Sequence, residues 1–248
     1  MARIANSGLG GFYPQRVGTG LYAQVVDVLG REIVNGDIEP GTIVYADQLC
    51  ERLGVSRSVI REGIRTLSSM GLVEARPQVG TRVLPAKHWD LLNPYIVTWR
   101  GEGPGYAKQM KELLELRLGI EHAAAGLAAV RIDEESAQEI LAHARAMESA
   151  FLAGDARRFF ATDSEFHRLL LEGSKNVVIA QLADTISATL DVRGRDTRPG
   201  MHTITEASVQ NHIQLAEALV ERDVTRAQQK ALDLVQLTLE EFENIHRA

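Results

Sequence analysis

The sequence has only one cysteine in 248 residues, and it has no long hydrophobic run. Cys50 lies in an apolar helical pattern, so we expect it to be buried, and no second cysteine exists to form an intramolecular disulfide with it. No segment approaches the roughly 20 apolar residues of a membrane span, and residues 1–20 lack the apolar core of a signal peptide. The chain is therefore predicted to be a cytoplasmic protein without membrane contact.

The chain also lacks an excess of positive charge. It has 27 lysines and arginines against 33 acidic residues, which gives a net charge of -6. This balance argues against a surface covered by basic patches, so any contact with nucleic acid must come from a local concentration of arginines. Such a concentration occurs near residue 60, where few acidic residues compensate it.

The first third of the chain has the order of elements of a winged helix-turn-helix. Residues 1–18 are rich in glycine without an apolar period and are predicted to be a flexible arm. Ser56 is a good N-cap residue for a helix, and Gly80 lies in the loop of a predicted β-hairpin, the wing. Within residues 19–85, helices are predicted at 21–35, 46–53 and 56–70, and strands at 72–75 and 81–84.

The rest of the chain is predicted to be helical, which makes the fold class mainly α. Residues 86–104 form a connector, and we expect its tryptophans, Trp89 and Trp99, to pack against one or both domains. Apolar periodicity across residues 105–248 predicts an antiparallel all-α bundle. Its helices are predicted at 106–130, 134–152, 156–171, 176–192, 206–221 and 224–245.

Three arginines recur along one face of the third predicted helix. Arg57, Arg61 and Arg65 are spaced i, i+4, i+8, after a tight turn at Gly54. Arg57 and Ser58 lie in the first turn, from which recognition helices reach base edges, and an arginine pairs well with guanine. Arg61 and Arg65 are predicted to contact phosphates.

The predicted wing adds two further cations. Arg76 and Arg82 flank the loop that contains Gly80, where a glycine permits close approach to a nucleic-acid backbone, so both arginines are predicted to contact phosphate or the minor groove. A solvated basic face on a surface helix is the alternative interpretation. The glycine turn and the hairpin favour DNA binding.

Polar side chains occur within apolar helical stripes of the second half, where an unpaired polar group is costly. Arg117 and Glu121 share one stripe, Asp163 and His167 are neighbours at i and i+4 in another, and His212 lies in a third. If these helices pack together, the five side chains converge on one interior cavity. An aspartate with two histidines suits a divalent metal, and an arginine suits a carboxylate, although an Asp-His pair is also common as a buried hydrogen bond.

The N-terminal segment, residues 21–85, resembles the DNA-binding domain of the GntR family of bacterial regulators. Many members carry an arginine near the start of the second helix that meets DNA, whereas this sequence has Asp47 there. The resemblance is carried by Gly30–Gly36 with Pro40-Gly41, by Leu53–Arg57, by Val59–Glu62, and by Gly71–Val73 with Gly80-Thr81.

The second half is similar to the effector (FCD-type) domain of the FadR subfamily. That resemblance implies zinc or a similar ion held by an aspartate and three histidines, with an organic-acid effector bound to it. Asp163, His167 and His212 match three of these ligands, while the fourth position falls near Leu234. The resemblance is carried by Leu116–Glu121, Asp163–His167, Ser174–Asn176 and His212.

The resemblance predicts a function. The connector residues 89–94 and the missing histidine are similar to repressors of sugar-acid catabolism, such as those of galactonate. We therefore expect a homodimeric repressor that binds double-stranded operator DNA and is released by a small carboxylate, with a sugar acid favoured. A metal-dependent enzyme of small organic acids is the alternative, although the sequence contains no helical His-Glu-x-x-His and no nucleophile elbow. A DNA-architectural protein without an effector is a third hypothesis.

Overall fold

The computed structural model describes residues 20–76, 79–195 and 204–247. The predicted arm, 1–18, lies outside these ranges. The N-terminal part, called the head below, is a winged helix-turn-helix, as the sequence predicts. Its elements are α1 (Leu21–Val34), β1 (Ile43–Val44), α2 (Ala46–Leu53), α3 (Arg57–Ser69), β2 (Val73–Arg76) and β3 (Gly80–Val83).

Local sequence signals explain the boundaries of the head's helices. α2 ends at Gly54, whose backbone is left-handed with φ of 65°, a conformation that glycine adopts without steric cost. Ser56 then caps α3, because its hydroxyl accepts a hydrogen bond from the Val59 amide. One face of α3 is buried against α1 through Ile60, Ile64 and Leu67, so the opposite face is left to solvent. Cys50 is half-buried against this core and not fully buried as expected.

The wing is a three-stranded antiparallel sheet in the order β1-β3-β2. The predicted hairpin is present, with Val73 opposite Val83 and Arg76 opposite Gly80. The additional strand β1 was not predicted. It pairs Ile43 with Arg82 and is only two residues long, too short to show an alternating pattern in the sequence.

The connector contains a helix that packs against both halves of the molecule. A 3₁₀ turn at Ala86–His88 is followed by α4 (Pro94–Gly101), which begins with proline at its first position. Trp99 lies in the core of the head, and its indole Nε1 donates to Asp27 of α1 at 2.9 Å. Val97, on the other side of α4, packs against Leu113 and Ala188 of the bundle. Trp99 therefore packs against the head, as expected for a connector tryptophan. The helix that carries it, α4, was not predicted from the sequence.

The C-terminal part is an all-α bundle, in which α5 packs along α11 and α6 along α7. Asp133, Asp155 and Asp223 accept hydrogen bonds from backbone amides in the first turns of their helices, as N-cap residues do. None of the described helices is long and apolar enough to cross a membrane. The helices are α5 (Tyr106–Arg131), α6 (Glu134–Leu152), α7 (Ala156–Gly173), α8 (Val177–Ala180), α9 (Ala183–Arg195), α10 (Glu206–Val220) and α11 (Val224–Arg247).

One predicted helix of the bundle is wrong. The sequence predicted a single helix over 176–192, whereas the structure has the short α8 followed by α9. Val177, Val178 and Ile179 are β-branched, which disfavours a long helix, and the first two are exposed and gain nothing from packing. The chain turns after Ala180, so that α9 packs against α7 and α4 instead of extending into solvent.

Candidate functional sites

The arginine face of α3 is open to solvent. Arg57, Arg61 and Arg65 are all exposed, as is Ser58 in the first turn. The structure brings these four side chains to one surface of the head, while Ile60 and the other apolar residues of α3 face the core. This arrangement can meet a polyanion without any change in the packing of the helix.

Two of these arginines are already paired with carboxylates. Arg57 Nη2 lies 2.7 Å from Asp47 Oδ1 of α2, and both side chains are largely exposed, at 78% and 70%. Arg65 Nη1 donates to Glu62 at 3.0 Å, one turn away on the same helix. The departure at Asp47 therefore has a direct structural consequence, because its carboxylate contacts the arginine that begins the helix.

The wing places its two arginines on the surface but gives Gly80 a different explanation. Arg76 is exposed and paired with Glu74, and Arg82 is exposed on β3. Gly80 has φ of 116°, and a side chain there would meet Ile43 at 2.8 Å and the Val44 carbonyl oxygen at 3.2 Å. The close pairing with β1 accounts for this glycine, which the sequence analysis assigned to contact with the DNA backbone.

The buried polar residues of the bundle surround one cavity, called the central cavity below. It brings together Arg117, Asp163, His167 and His212, as the helical stripes suggested. Glu121 does not line it. The lining residues are Arg117, Phe159, Phe160, Asp163, His167, Leu190, Arg193, Ile204, Ser208, His212, Leu234 and Thr238.

Arg117, Glu121 and His167 form a chain of contacts at the floor of the central cavity. Arg117 Nε donates to Glu121 Oε1 at 2.5 Å, and Arg117 Nη2 lies 3.1 Å from His167 Nε2. The second oxygen of Glu121 lies 2.7 Å from His167 Nδ1. Glu121 is completely buried, so it acts behind His167 and Arg117 and does not reach a molecule in the cavity.

The charges around Glu121 and Asp163 favour their ionised forms. Burial alone would raise the pKa of Glu121, but the positive charge of Arg117 and the contacts with Arg117 and His167 outweigh it and lower the pKa to about 2. Burial opposes ionisation of Asp163 too, yet hydrogen bonding with His167 and His212 holds its pKa well below the usual range. Both carboxylates are therefore anionic at neutral pH.

Asp163, His167 and His212 have the geometry of metal ligands. Asp163 Oδ1 lies 3.0 Å from His212 Nε2 and 3.3 Å from His167 Nε2, and one ligand atom of each residue lies within 4.8 Å of the others. The other ring nitrogens face acceptors, since His167 Nδ1 faces Glu121 and His212 Nδ1 lies 2.8 Å from the Ser208 carbonyl oxygen. Metal-binding histidines are commonly held in this way by a carboxylate or a backbone carbonyl.

This arrangement fits a cation between the three side chains. With each Nδ1 protonated toward its acceptor, the Nε2 lone pairs of His167 and His212 both face one oxygen of Asp163. In that tautomer the two lone pairs and the carboxylate oxygen can bind one cation together, whereas without a cation either ring can instead donate from Nε2 to Asp163. Leu234, at the position of the missing fourth ligand, is in the wall of the central cavity and contributes only hydrocarbon.

Sequence analysis missed Arg193, which also lines the central cavity. Ile186, Leu190 and Arg193 share one face of α9, and the first two are buried. An arginine that continues an apolar stripe was a usable signal. It was overlooked because the sequence prediction ended the helix at residue 192.

Comparison with known proteins establishes the family. The gntR family of bacterial regulatory proteins matches residues 21–83, and the FCD domain matches residues 112–237, just over half of the chain. The chain belongs to the gntR family. Like other members, it is therefore a DNA-binding transcription regulator and not an enzyme.

Relatives of known sequence agree with this assignment, and a solved structure shares the fold. The chain is 31% identical to the uncharacterized HTH-type transcriptional regulator YieP of Escherichia coli strain K12, over 64% of this chain and 70% of that one. It is 28% identical to the galactonate operon transcriptional repressor of the same organism, over 86% of this chain and 92% of that one. The solved structure of Streptococcus agalactiae GntR shares the fold, with a TM-score of 0.51 at 24% identity over 88% of this chain and 99% of that one.

Proposed function

We propose that this gntR-family regulator is a homodimeric repressor that leaves its operator when a small organic acid, a sugar acid by preference, enters the central cavity. The observation that carries the proposal is the pairing of an exposed arginine face on α3 with a buried polar cavity in the same chain. The relationship to a galactonate operon repressor supports the choice of a sugar acid. Since the operator is chromosomal DNA, the protein acts in the cytoplasm.

In this proposal each segment has its own task. Residues 19–85 bind DNA, 105–248 bind the effector and form the dimer, and 86–104 connect the two. Arg57 and Ser58 read base edges, and the remaining arginines hold phosphates, because the first turn of a recognition helix enters the groove. The phosphate contacts are Arg61, Arg65, Arg76 and Arg82.

Asp163, His167 and His212 would hold one divalent ion, zinc or a similar metal. The ion would attract the carboxylate of the effector electrostatically. Arg117 adds donors beside His167, and Glu121 keeps Arg117 and His167 in place from behind. Because Leu234 offers no ligand atom, water or the effector would complete the coordination of the ion.

The experiment is a binding titration by fluorescence anisotropy, with DNA from upstream of the protein's own gene and a scrambled duplex. We expect selective binding to the upstream DNA, weakening when galactonate and Mn²⁺ are added together. Arg61→Gln should weaken operator binding about tenfold, as loss of a charged DNA contact does. Arg157→Gln, which removes an exposed arginine from the bundle, is the matched control and should change nothing. Equal binding to both duplexes would refute the proposal.

The metal is tested separately by calorimetric titration of the metal-free protein with Zn²⁺. We expect one site per chain, lost in Asp163→Asn and retained in Asp184→Asn, an exposed aspartate on α9. Retention of the site in Asp163→Asn would remove the ion from the proposal and leave the arginines as the anchors of the carboxylate.

A further inference from the structure

Arg193 is a cation at the edge of the central cavity without a close partner. Its side chain is only 18% exposed, yet in the described part of the chain its guanidinium donates no hydrogen bond. The nearest carboxylate oxygen, Glu241 Oε2, lies 3.6 Å away, beyond ordinary hydrogen-bond length. The guanidinium carbon lies 5.6 Å from the centre of the Phe160 ring. A buried arginine with open donors is costly unless a ligand takes them up.

Glu241 and Thr238 supply acceptors beside these donors. The Thr238 hydroxyl donates to the Leu234 carbonyl oxygen at 3.1 Å, so its own oxygen remains an acceptor. Glu241 Oε1 receives the Thr205 hydroxyl at 3.4 Å, while Oε2 faces Arg193. Burial lowers the pKa of Arg193 and raises the pKa of Glu241, as expected for charges that are incompletely solvated and loosely paired.

Two of these side chains, Arg193 and Thr238, lie between two cavities. Arg193 and Thr238 line both the central cavity and a neighbouring cavity, whose wall includes Glu241. A ligand that begins at Arg117 and continues past Arg193 and Thr238 would therefore approach Glu241. We call Arg193, Thr238 and Glu241 the distal subsite.

The charges of the whole site favour one carboxylate. Arg117 and Arg193 are opposed by three carboxylates, Glu121, Asp163 and Glu241, which leaves one net negative charge with neutral histidines. A divalent ion changes this to one net positive charge, which a single carboxylate neutralises. A second carboxylate at the distal subsite would lie beside Glu241 and be repelled.

We infer that the distal subsite binds hydroxyl groups of the effector, so that the site selects a polyhydroxy acid with one carboxylate over a diacid of equal length. Hydroxyls donate and accept at once, which matches a subsite where Arg193 donates and Thr238 and Glu241 accept. The inference rests on the proposed function, because it assumes that the acid group binds beside Arg117.

The test is calorimetric titration of the full chain with Mn²⁺ present. The probes are galactonate, gluconate and mannonate, the diacid of each, and hexanoate, which has a carboxylate and no hydroxyls. We expect at least one of the three aldonates to bind at least tenfold more tightly than its diacid and than hexanoate. Equal affinity of aldonate and diacid would overturn the inference.

Substitutions in the distal subsite test which side chains cause the preference for an aldonate. Arg193→Gln should weaken the best aldonate at least tenfold and hexanoate clearly less, and unchanged binding to the operator shows that the variant is folded. Glu241→Gln removes the negative charge that would repel a second carboxylate, so the ratio of aldonate affinity to diacid affinity should fall at least threefold. Arg195→Gln, on the same helix but half-exposed, is the matched control and should leave all affinities unchanged. An unchanged aldonate affinity in Arg193→Gln would overturn the inference.

The outcomes separate the two proposals. Binding of aldonates without dependence on Arg193 or Glu241 contradicts only the distal subsite. Failure of all seven acids to bind, in protein that still binds its operator, contradicts the organic-acid effector and with it the inference.

Discussion

Asp47 places a negative charge beside the first arginine of α3, and this pair makes a prediction at the scale of one residue. In Asp47→Asn, Arg57 loses its internal partner, and a carboxylate that would repel DNA phosphates is removed. Exposed ion pairs contribute about 0.2–1 kcal/mol, so we expect operator affinity to rise about two- to fivefold. Anisotropy titration at fixed salt measures it.

The control for this variant is Asp37→Asn, which removes an equal charge from an exposed loop of the head. Asp37→Asn should raise operator affinity less than Asp47→Asn does. A weaker complex in Asp47→Asn would mean that the pair positions Arg57 for DNA and does not compete with it.

Glu121 carries a second prediction, because it is close to the ligand set without facing the cavity. Glu121→Gln removes the carboxylate behind His167 Nδ1, and outer partners of this kind change metal affinity about 10–100-fold. We expect Zn²⁺ affinity to fall by that factor while the binding stoichiometry stays the same. Calorimetry on the variant checks it.

Glu121→Gln should also destabilise the fold, since it leaves the buried Arg117 without its carboxylate. Breaking a buried pair costs about 3–5 kcal/mol, measurable by urea unfolding of the metal-free protein. Unchanged stability together with unchanged Zn²⁺ affinity would show that Glu121 has neither role.

At the scale of elements, close contact between α1 and α4 depends on a glycine. A side-chain carbon at Gly30 would overlap the Trp99 ring, so Gly30→Ala forces the two helices apart. Overpacking of this kind costs about 1–3 kcal/mol in the free energy of unfolding. Urea unfolding should show this loss.

The matched control is Gly119→Ala on the exposed face of α5, where an added carbon meets nothing within 4 Å. It should be neutral or stabilise the protein by about 0.5–1 kcal/mol, as alanine does within a helix. If Gly30→Ala behaved like this control, α4 would not be packed tightly on the head.

The elements that the sequence predicted correctly are those with long apolar periods and recognisable caps. Ser56, the predicted N-cap, caps α3 in the structure, and Asp133 and Asp155 cap α6 and α7 in the same way. β1 and the break between α8 and α9 were missed because two-residue strands and single turns leave no period to detect.

The candidate site was predictable to a similar extent. Asp163 and His167 are neighbours in sequence spacing, and their convergence with His212 and Arg117 follows from the apolar stripes of three helices. The positions of Arg193 and Thr238 in the cavity depend on how α9 and α11 pack. Residue spacing within one helix does not predict that packing.

At the scale of the whole molecule, α4 is the described element that joins the core of the head to the bundle. Trp99→Phe removes the hydrogen bond from the indole to Asp27 while keeping most of the packing. The free energy that couples two binding sites is typically about 1–3 kcal/mol. We expect Trp99→Phe to lose part of the coupling between acid binding and operator binding. The acid should still bind within twofold of the unmodified protein, but it should weaken operator binding less.

Trp89→Phe is the matched control, because the Trp89 indole donates to the Leu84 carbonyl oxygen only five residues away and does not join α4 to α1. Anisotropy titrations with and without galactonate and Mn²⁺ measure both variants. Equal release from DNA in Trp99→Phe and in the unmodified protein would exclude this hydrogen bond from the coupling.

Leu234 has a consequence for how such a regulator responds in the cell. Under the proposed function, an acid that completes the coordination beside Leu234 would hold the metal ion more firmly, and by linkage the ion would hold the acid more firmly. The amount of acid needed to free the operator would then fall as intracellular free metal rises. Gene expression would follow two nutrients jointly, and starvation for either would keep the genes silent.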